Sequence, residues 1–195
     1  MTTIDDVLAR ARSALGHGTL YWLGAGGTDP RSDVPTTKVN VAAEWAASTP
    51  EKRAELAPLA AAMGIDVHNP ALWLDACDCS GYVCWALGFS RNGPNGPIWT
   101  NSIFADAKGA QARFRHVTVA TPGALVVYPS GDGETYGHVA IVAEADAAGN
   151  ATQILHCSKA NVEGVPHDGI KASAPDAFTA NRHSIYVWCR DVEER

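Results

Sequence analysis

The sequence predicts an α+β fold in which N-terminal helices pack on an antiparallel sheet of five to six strands. Helical periodicity dominates the first half of the 195 residues, whereas short runs rich in valine, isoleucine and aromatic residues dominate the second half. Helices followed by strands indicate segregated layers. Because neither a repeat nor a linker interrupts the chain, residues 1–195 are predicted to form a single domain.

Composition and charge exclude several functional classes. The chain is 46% hydrophobic and 18% charged, which excludes a disordered protein. Its net charge of −6 disfavours nucleic acid or an anionic membrane as the main partner, because both require a cationic surface. No apolar stretch reaches the length of about 18 residues that a membrane-spanning helix needs.

Helix and strand signals alternate with turn signals along the chain. Segments predicted to be helical are 4–15, 41–47, 50–63, 79–88 and 101–109. Predicted strands are 113–119, 124–129, 138–144, 152–157 and 184–189. Residues 28–40 and the stretch from Asn69 to Asp75 are predicted to be loops, and no element is assigned to residues 159–183.

Cys79 is the first candidate for catalysis. It opens an apolar helix, where unpaired backbone N–H groups and the helix dipole favour the thiolate form. The alternative is a small buried hydrophobic residue, which is the usual role of a free cysteine and the one that we assign to Cys84. The chain has an odd number of cysteines, five, and three of them crowd between Cys77 and Cys84, which is not typical of a disulfide framework.

A thiol nucleophile needs a base, and His138 is the histidine best placed to be one. It follows Gly137, which allows close approach of another backbone, and it begins a predicted strand. His156 ends the next apolar run, and a hairpin loop centred near residue 147 or 148 would put both rings on one face, with Cβ atoms about 5–8 Å apart. A loop centred at Gly149–Asn150 would separate them.

His156 is then the candidate that orients the imidazole of His138, since a hydrogen bond to the far ring nitrogen fixes the tautomer. Asn161 is a second candidate for this role.

Five segments together resemble, in the same order, motifs of the NlpC-type cell-wall cysteine peptidases, a papain-like family. The segments are 18–24, 78–83, 122–128, 137–142 and 154–158. Ala124 stands where the family usually has aspartate. The resemblance implies a papain-like NlpC-type fold with Cys79 as nucleophile, His138 as general base and His156 as the orienting residue, without a metal or other cofactor.

The resemblance also implies residues that contact the substrate. The backbone N–H of Cys79 together with Tyr21 would stabilise the oxyanion. Asp78 and Ser80, which flank the cysteine, would meet polar groups of the substrate. Asp78 is alternatively a helix N-cap, and it can serve both roles.

The implied function is that of a thiol hydrolase that cleaves an amide bond in peptidoglycan stem peptides, as an endopeptidase or an amidase. Peptidoglycan or a soluble muropeptide is the expected partner. An insertion at about residues 28–75 exceeds the usual link of the family; we expect it to be partly helical and to form a lid or to extend the substrate groove.

Three other functions remain open. A lipid acyltransferase or deacylase of related fold would keep the cysteine and histidine pair. A thiol or metal-binding module would use Cys77, Cys79 and Cys84, although their spacing does not match structural zinc sites. A catalytically inactive binding module would keep the fold alone.

The N-terminal residues are acidic and lack the basic and apolar regions of a secretory signal. We therefore expect synthesis in the cytoplasm. Action on the cell wall would then need another delivery route, as for an antibacterial effector or a phage-type lysis enzyme, with an unidentified immunity or delivery partner. Recycling of cytoplasmic muropeptides is the other possibility.

Overall fold

The computed structural model describes residues 2–93, 96–131 and 135–193. Within these ranges the helices are α1 Ile4–Ser13, α2 Val41–Ala47, α3 Pro50–Ala62, α4 Cys79–Ala86, α5 Thr100–Lys108, α6 Lys159–Glu163 and α7 Asp176–Thr179. The strands are β1 Leu20–Tyr21, β2 Thr37–Asn40, β3 Trp73–Cys77, β4 Asn92–Gly93, β5 Gly96–Pro97, β6 Phe114–Val117, β7 Leu125–Tyr128, β8 His138–Ala145, β9 Ala151–Cys157, β10 Ile170–Ser173 and β11 Ile185–Cys189. The predicted α+β class is confirmed. Residues 1, 94, 95, 132–134, 194 and 195 of the predicted domain lie outside the described residues.

The main sheet has six antiparallel strands in the order β10-β9-β8-β7-β11-β6. All five predicted strands belong to it. The sixth strand, β10, lies at one edge, within the segment to which the sequence assigned no element.

Helix α4 forms the centre of the main core. All eight of its residues are buried, as expected for a helix that is apolar on every side. It packs between α1 and the strands β8 and β9. No helix of the described residues is both long and apolar enough to cross a membrane.

A small second sheet corrects the loop predictions. Strand β3 pairs with β1 in parallel and with β2 in the antiparallel direction, so parts of residues 28–40 and 69–75 are strands. Polar and apolar residues do not alternate clearly in these segments. In β2 this agrees with its burial, since the strand is half-exposed along most of its length. Strand formation here depends on partners that are distant in the chain.

The insertion contributes β2, α2 and α3, and α3 packs on the small sheet. Leu56 and Leu59 lie at helical spacing on its buried face, where they join a cluster with Leu20, Trp22 and Val162. This cluster attaches the insertion to the rest of the fold beside β1. The organisation as a single catalytic domain stays a prediction.

Candidate active site

Strand β3 runs into α4 and thereby places Cys79 at the first position of the helix. Asp78 is the N-cap, because its carboxylate accepts a hydrogen bond of 2.7 Å from Gly81 N–H. The N–H of Cys79 has no acceptor within the helix, because it is one of the first four N–H groups of α4. Cys79 itself is 4% exposed.

The carboxylate of Asp78 is held by a fully buried ion pair. Both guanidinium nitrogens of Arg91 donate to it at 3.0 Å, and the side chains are 2% and 1% exposed. Ser80 Oγ donates to the same carboxylate and accepts from Arg91, each at 3.0 Å. The polar groups of Asp78 and Ser80 are thus satisfied inside the protein. Their predicted contact with substrate stays a prediction, whereas the capping role of Asp78 is confirmed.

Arg91 is a site residue that sequence reasoning missed. It also donates to the carbonyl of Ala25 at 2.7 Å, and its guanidinium carbon lies 4.5 Å from the ring centroid of Trp99 at the cleft wall. Its carboxylate partner Asp78 lies in another element, so no local pattern reveals the pair. A lone arginine after an apolar helix gives no more than a weak signal.

The glycine-rich loop, residues 24–27, lies before β2 and contacts the start of α4. Gly24 N–H donates to Asp78 at 2.7 Å, and Asp78 N–H donates to the carbonyl of Ala25 at 3.1 Å. A side chain on Gly27 would overlap the backbone of Gly81, and Gly27 has a φ of +68°. Only glycine allows this approach and this backbone conformation without strain.

Tyr21 lies opposite Cys77, two residues before Cys79, because β1 pairs with β3. Its role in stabilising an oxyanion stays a prediction. Burial, and then the neighbouring Cys79, raise the pKa of the Tyr21 hydroxyl far above its usual value. The phenol is therefore neutral and is able to donate a hydrogen bond.

The two predicted histidines meet on the β8–β9 hairpin. Ile141 pairs with Leu155, which centres the loop at residue 148. The predicted register is confirmed, and the alternative loop centred at Gly149–Asn150 is wrong. The rings of His138 and His156 are joined by a hydrogen bond of 2.8 Å between His138 Nε2 and His156 Nδ1.

The imidazole of His138 is held on several sides. The ring of Phe178 stacks on it with a centroid distance of 5.2 Å and an interplanar angle of 20°. A Cβ on Gly137 would lie 2.6 Å from the carbonyl oxygen of Tyr128, so the close approach predicted for this glycine is present. Phe178 lies in α7, where the sequence offered no signal for a site residue.

Asn161, the second candidate for orienting His138, instead braces the backbone. Its amide donates to the carbonyls of His156 and Gly169 at 3.1 and 2.9 Å. The ring contact to His138 comes from His156.

In the unliganded protein the surroundings of Cys79 oppose the thiolate form that the helix N-terminus favours. Burial, followed by the carboxylate of Asp78, raises the pKa of the thiol from 9.0 to about 12. Hydrogen bonds from Thr100 and from the N–H groups of Val139 and Ser80 oppose this shift but do not outweigh it. Loss of hydration thus dominates over the helix N-terminus.

The two imidazoles are neutral for the same reason. Burial, and then the neighbouring His156, lower the pKa of His138 from 6.5 to about 3. Burial also lowers the pKa of His156, to about 4. The resting site therefore contains a neutral thiol and two neutral rings.

A cleft of about 590 Å³ opens above Cys79. Its walls meet where Asn101 and Ser130 exchange hydrogen bonds of 2.7 and 2.9 Å. A cavity of about 120 Å³ shares Leu23 and Tyr136 with the cleft and reaches α3 of the insertion. The insertion thus contributes to the walls beside the site.

All five cysteines are free and buried. Across residues 2–93, 96–131 and 135–193, no group of three or more His, Cys, Asp or Glu side chains is arranged to hold a metal ion. Cys77 contacts the carbonyls of Pro35 and Asp78, while Cys84 lies in the helix core. Nothing in the described residues supports a metal centre built on these thiols.

Comparison with known proteins identifies the central part of the chain. Residues 71–158 match the CHAP domain. CHAP is a peptidoglycan hydrolase domain of the NlpC and papain-like cysteine peptidase type, so the predicted resemblance is confirmed. The matched segment is somewhat less than half of the chain and contains Cys79, His138 and His156, whereas Tyr21 and Phe178 lie outside it.

The other two comparisons add little. No curated protein matches the chain. A solved structure described as the crystal structure of Ly7917 is similar at 14% identity and a TM-score of 0.34, over 96% of this chain and 63% of that one. At this score the likeness carries no conclusion.

Removal of Arg91 should destabilise the protein strongly. Arg91→Ala leaves the buried carboxylate of Asp78 without its counter-ion, and we expect a loss of about 3–5 kcal/mol in the free energy of unfolding. Urea denaturation followed by circular dichroism measures this loss.

Lys38→Ala is the matched control for Arg91→Ala. Lys38 pairs with Asp75 at 2.7 Å, but the two side chains are 62% and 44% exposed, so the expected loss is below about 1 kcal/mol. Equal losses in the free energy of unfolding of the two variants would show that the buried Arg91–Asp78 pair stabilises the protein no more than an exposed pair does.

Stability should fall in acid because the two site histidines stay neutral in the folded protein. Unfolded histidines take up protons as the pH falls below about 6.5, whereas His138 and His156 bind them only near pH 3 to 4. The free energy of unfolding is therefore highest above about pH 6.5 and decreases as the pH falls from there to about pH 3. Urea titrations at several pH values measure the slope.

His156→Gln should flatten this pH dependence, because it removes one of the two buried rings that stay neutral in the folded protein. An unchanged slope in His156→Gln would show that the acid loss arises elsewhere.

Proposed function

We propose that this chain is a thiol hydrolase that cleaves an amide bond in peptidoglycan stem peptides through an acyl-enzyme on Cys79. The observation that carries the proposal is the hydrogen-bonded pair His138 and His156 beside a cysteine that begins a buried helix. Helix α4, which begins with Cys79, packs on β8, which begins with His138. The CHAP match supports the substrate class.

In the first step the sulfur of Cys79 attacks the carbonyl carbon. Since thiol and imidazole are both neutral at rest, His138 removes the thiol proton while the S–C bond forms. The carbonyl electrons move to oxygen, where the N–H of Cys79 and Tyr21 stabilise the charge. Collapse breaks the C–N bond, and the amine leaves with the proton from His138.

In the second step water releases the acyl group. His138 removes a proton from water, whose oxygen attacks the thioester carbon. The C–S bond then breaks, the thiolate regains the proton from His138, and the new carboxyl group leaves. His156 keeps the imidazole oriented throughout both steps.

The amide bond that occupies the cleft decides whether the protein acts as an endopeptidase or as an amidase, and the proposal includes both activities. Action on the cell wall as an antibacterial effector or a phage-type lysis enzyme is a further proposal, and recycling of cytoplasmic muropeptides is its alternative. The organisation as a single catalytic domain is also a proposal.

Digestion of purified sacculi tests the proposal. Wild-type protein should release stem-peptide fragments, and mass spectrometry of these fragments identifies the cleaved bond. Cys79→Ala and His138→Ala should lower the rate by at least about 10³-fold, because each removes a member of the catalytic unit.

Cys84→Ala is the control for the cysteine substitution, since it removes a thiol from the same helix away from the cleft. It should retain most of the activity. Digestion by folded Cys79→Ala at the wild-type rate would exclude the acyl-enzyme.

The resting thiol should alkylate in a way that reflects its raised pKa. With a pKa near 12, the reaction of iodoacetamide with Cys79 should accelerate about tenfold per pH unit from pH 7 to 10. Peptide mapping measures modification at this residue. A rate that is already constant between pH 5 and 8 would instead indicate a preformed thiolate–imidazolium pair.

A further inference from the structure

Strand β10 brings a polar group to the outer side of His156. Ser173, the last residue of this edge strand, pairs with Ile154 of β9. Its hydroxyl lies 3.0 Å from His156 Nε2 and 3.1 Å from the carbonyl oxygen of Ala174. Neither Ser173 nor Ala174 belongs to the segment that matches the CHAP domain.

These contacts continue the hydrogen bond between the histidines into a chain. From the cysteine side outward it runs through His138 Nε2, His156 Nδ1, His156 Nε2, Ser173 Oγ and Ala174 O. A neutral imidazole carries one N–H and one bare nitrogen, and a serine hydroxyl carries one proton. The hydrogens in this series of hydrogen bonds must therefore all point toward Ala174, the outward arrangement, or all point toward His138, the inward arrangement.

The carbonyl of Ala174 distinguishes these two arrangements because it only accepts. In the outward arrangement Ser173 donates to Ala174, accepts from His156 Nε2–H, and every group is satisfied. The bare Nδ1 of His156 then accepts from His138 Nε2–H. In the inward arrangement Ser173 donates to His156, the exposed carbonyl of Ala174 loses its hydrogen bond from Ser173, and His138 carries its proton on Nδ1.

We propose that Ser173 is a positioning residue that sets the tautomer of His138 through His156. The outward arrangement leaves Nδ1 of His138 without a proton, and Nδ1 is the ring nitrogen that His156 does not occupy. It is therefore the nitrogen that accepts the thiol proton. The catalytic consequence rests on the proposed function, whereas the tautomer itself does not.

Histidine-selective ¹⁵N labelling tests the tautomer without any substrate. Long-range ¹H–¹⁵N spectra distinguish protonated from bare ring nitrogens, and His138→Gln and His156→Gln assign the signals. Wild-type protein should show both rings protonated on Nε2. Ser173→Ala should show a mixture of tautomers, and Ser173→Thr, which keeps the hydroxyl, should restore the wild-type pattern.

Kinetics on sacculi provide the second measurement. Ser173→Ala should lower kcat roughly 3- to 10-fold, the equivalent of one neutral hydrogen bond, with KM nearly unchanged. Ser173→Thr should recover most of this loss. Ser184→Ala is the matched control, because the buried hydroxyl of Ser184 has no hydrogen-bond partner among the described residues, and it should leave kcat and the spectra unchanged.

Two results would overturn the inference: a wild-type His138 that carries its proton on Nδ1, or Ser173→Ala spectra identical to those of the wild type. If the spectra respond as expected but wild-type protein releases no fragments from sacculi, the proposed function fails while the role of Ser173 stands.

Discussion

The buried carboxylate of Asp78 is the constraint on which the site depends. It caps α4, receives Gly24 N–H from the glycine-rich loop and pairs with both nitrogens of Arg91. A carboxylate without these donors would be too costly to bury. The position of Cys79 in space follows from this arrangement, because the cysteine is the next residue and its N–H begins the helix.

Burial determines the chemistry of the site as much as its geometry. Exclusion of water raises the pKa of the Cys79 thiol and lowers the pKa of both histidines, so the resting groups are neutral. A site of this kind needs a substrate before charge separates. In the proposed mechanism, the orientation of the single proton on each ring decides whether His138 can act as a base, and the proposed role of Ser173 is to set that orientation.

Much of the site was predictable because its signals are local. Cys79 comes directly after a capping aspartate, and His138 comes directly after a glycine at the start of a strand. Both candidates can therefore be predicted from neighbouring residues alone. The pairing of His138 with His156 needed one further choice, the register of the hairpin. That choice was settled by a loop centred on residue 148, with Gly149 at positive φ within it.

The sequence by itself determined the α+β class, the five central strands and the order of the cysteine and the two histidines, because periodicity and turn residues act over short distances. Tertiary structure alone decided the partnership of Arg91 with Asp78, the stacking of Phe178 on His138 and the contact of Ser173 with His156. Each of these joins residues from separate elements. The same holds for the protonation of Cys79, since the sequence shows its helix N-terminus but not the surrounding atoms that exclude water.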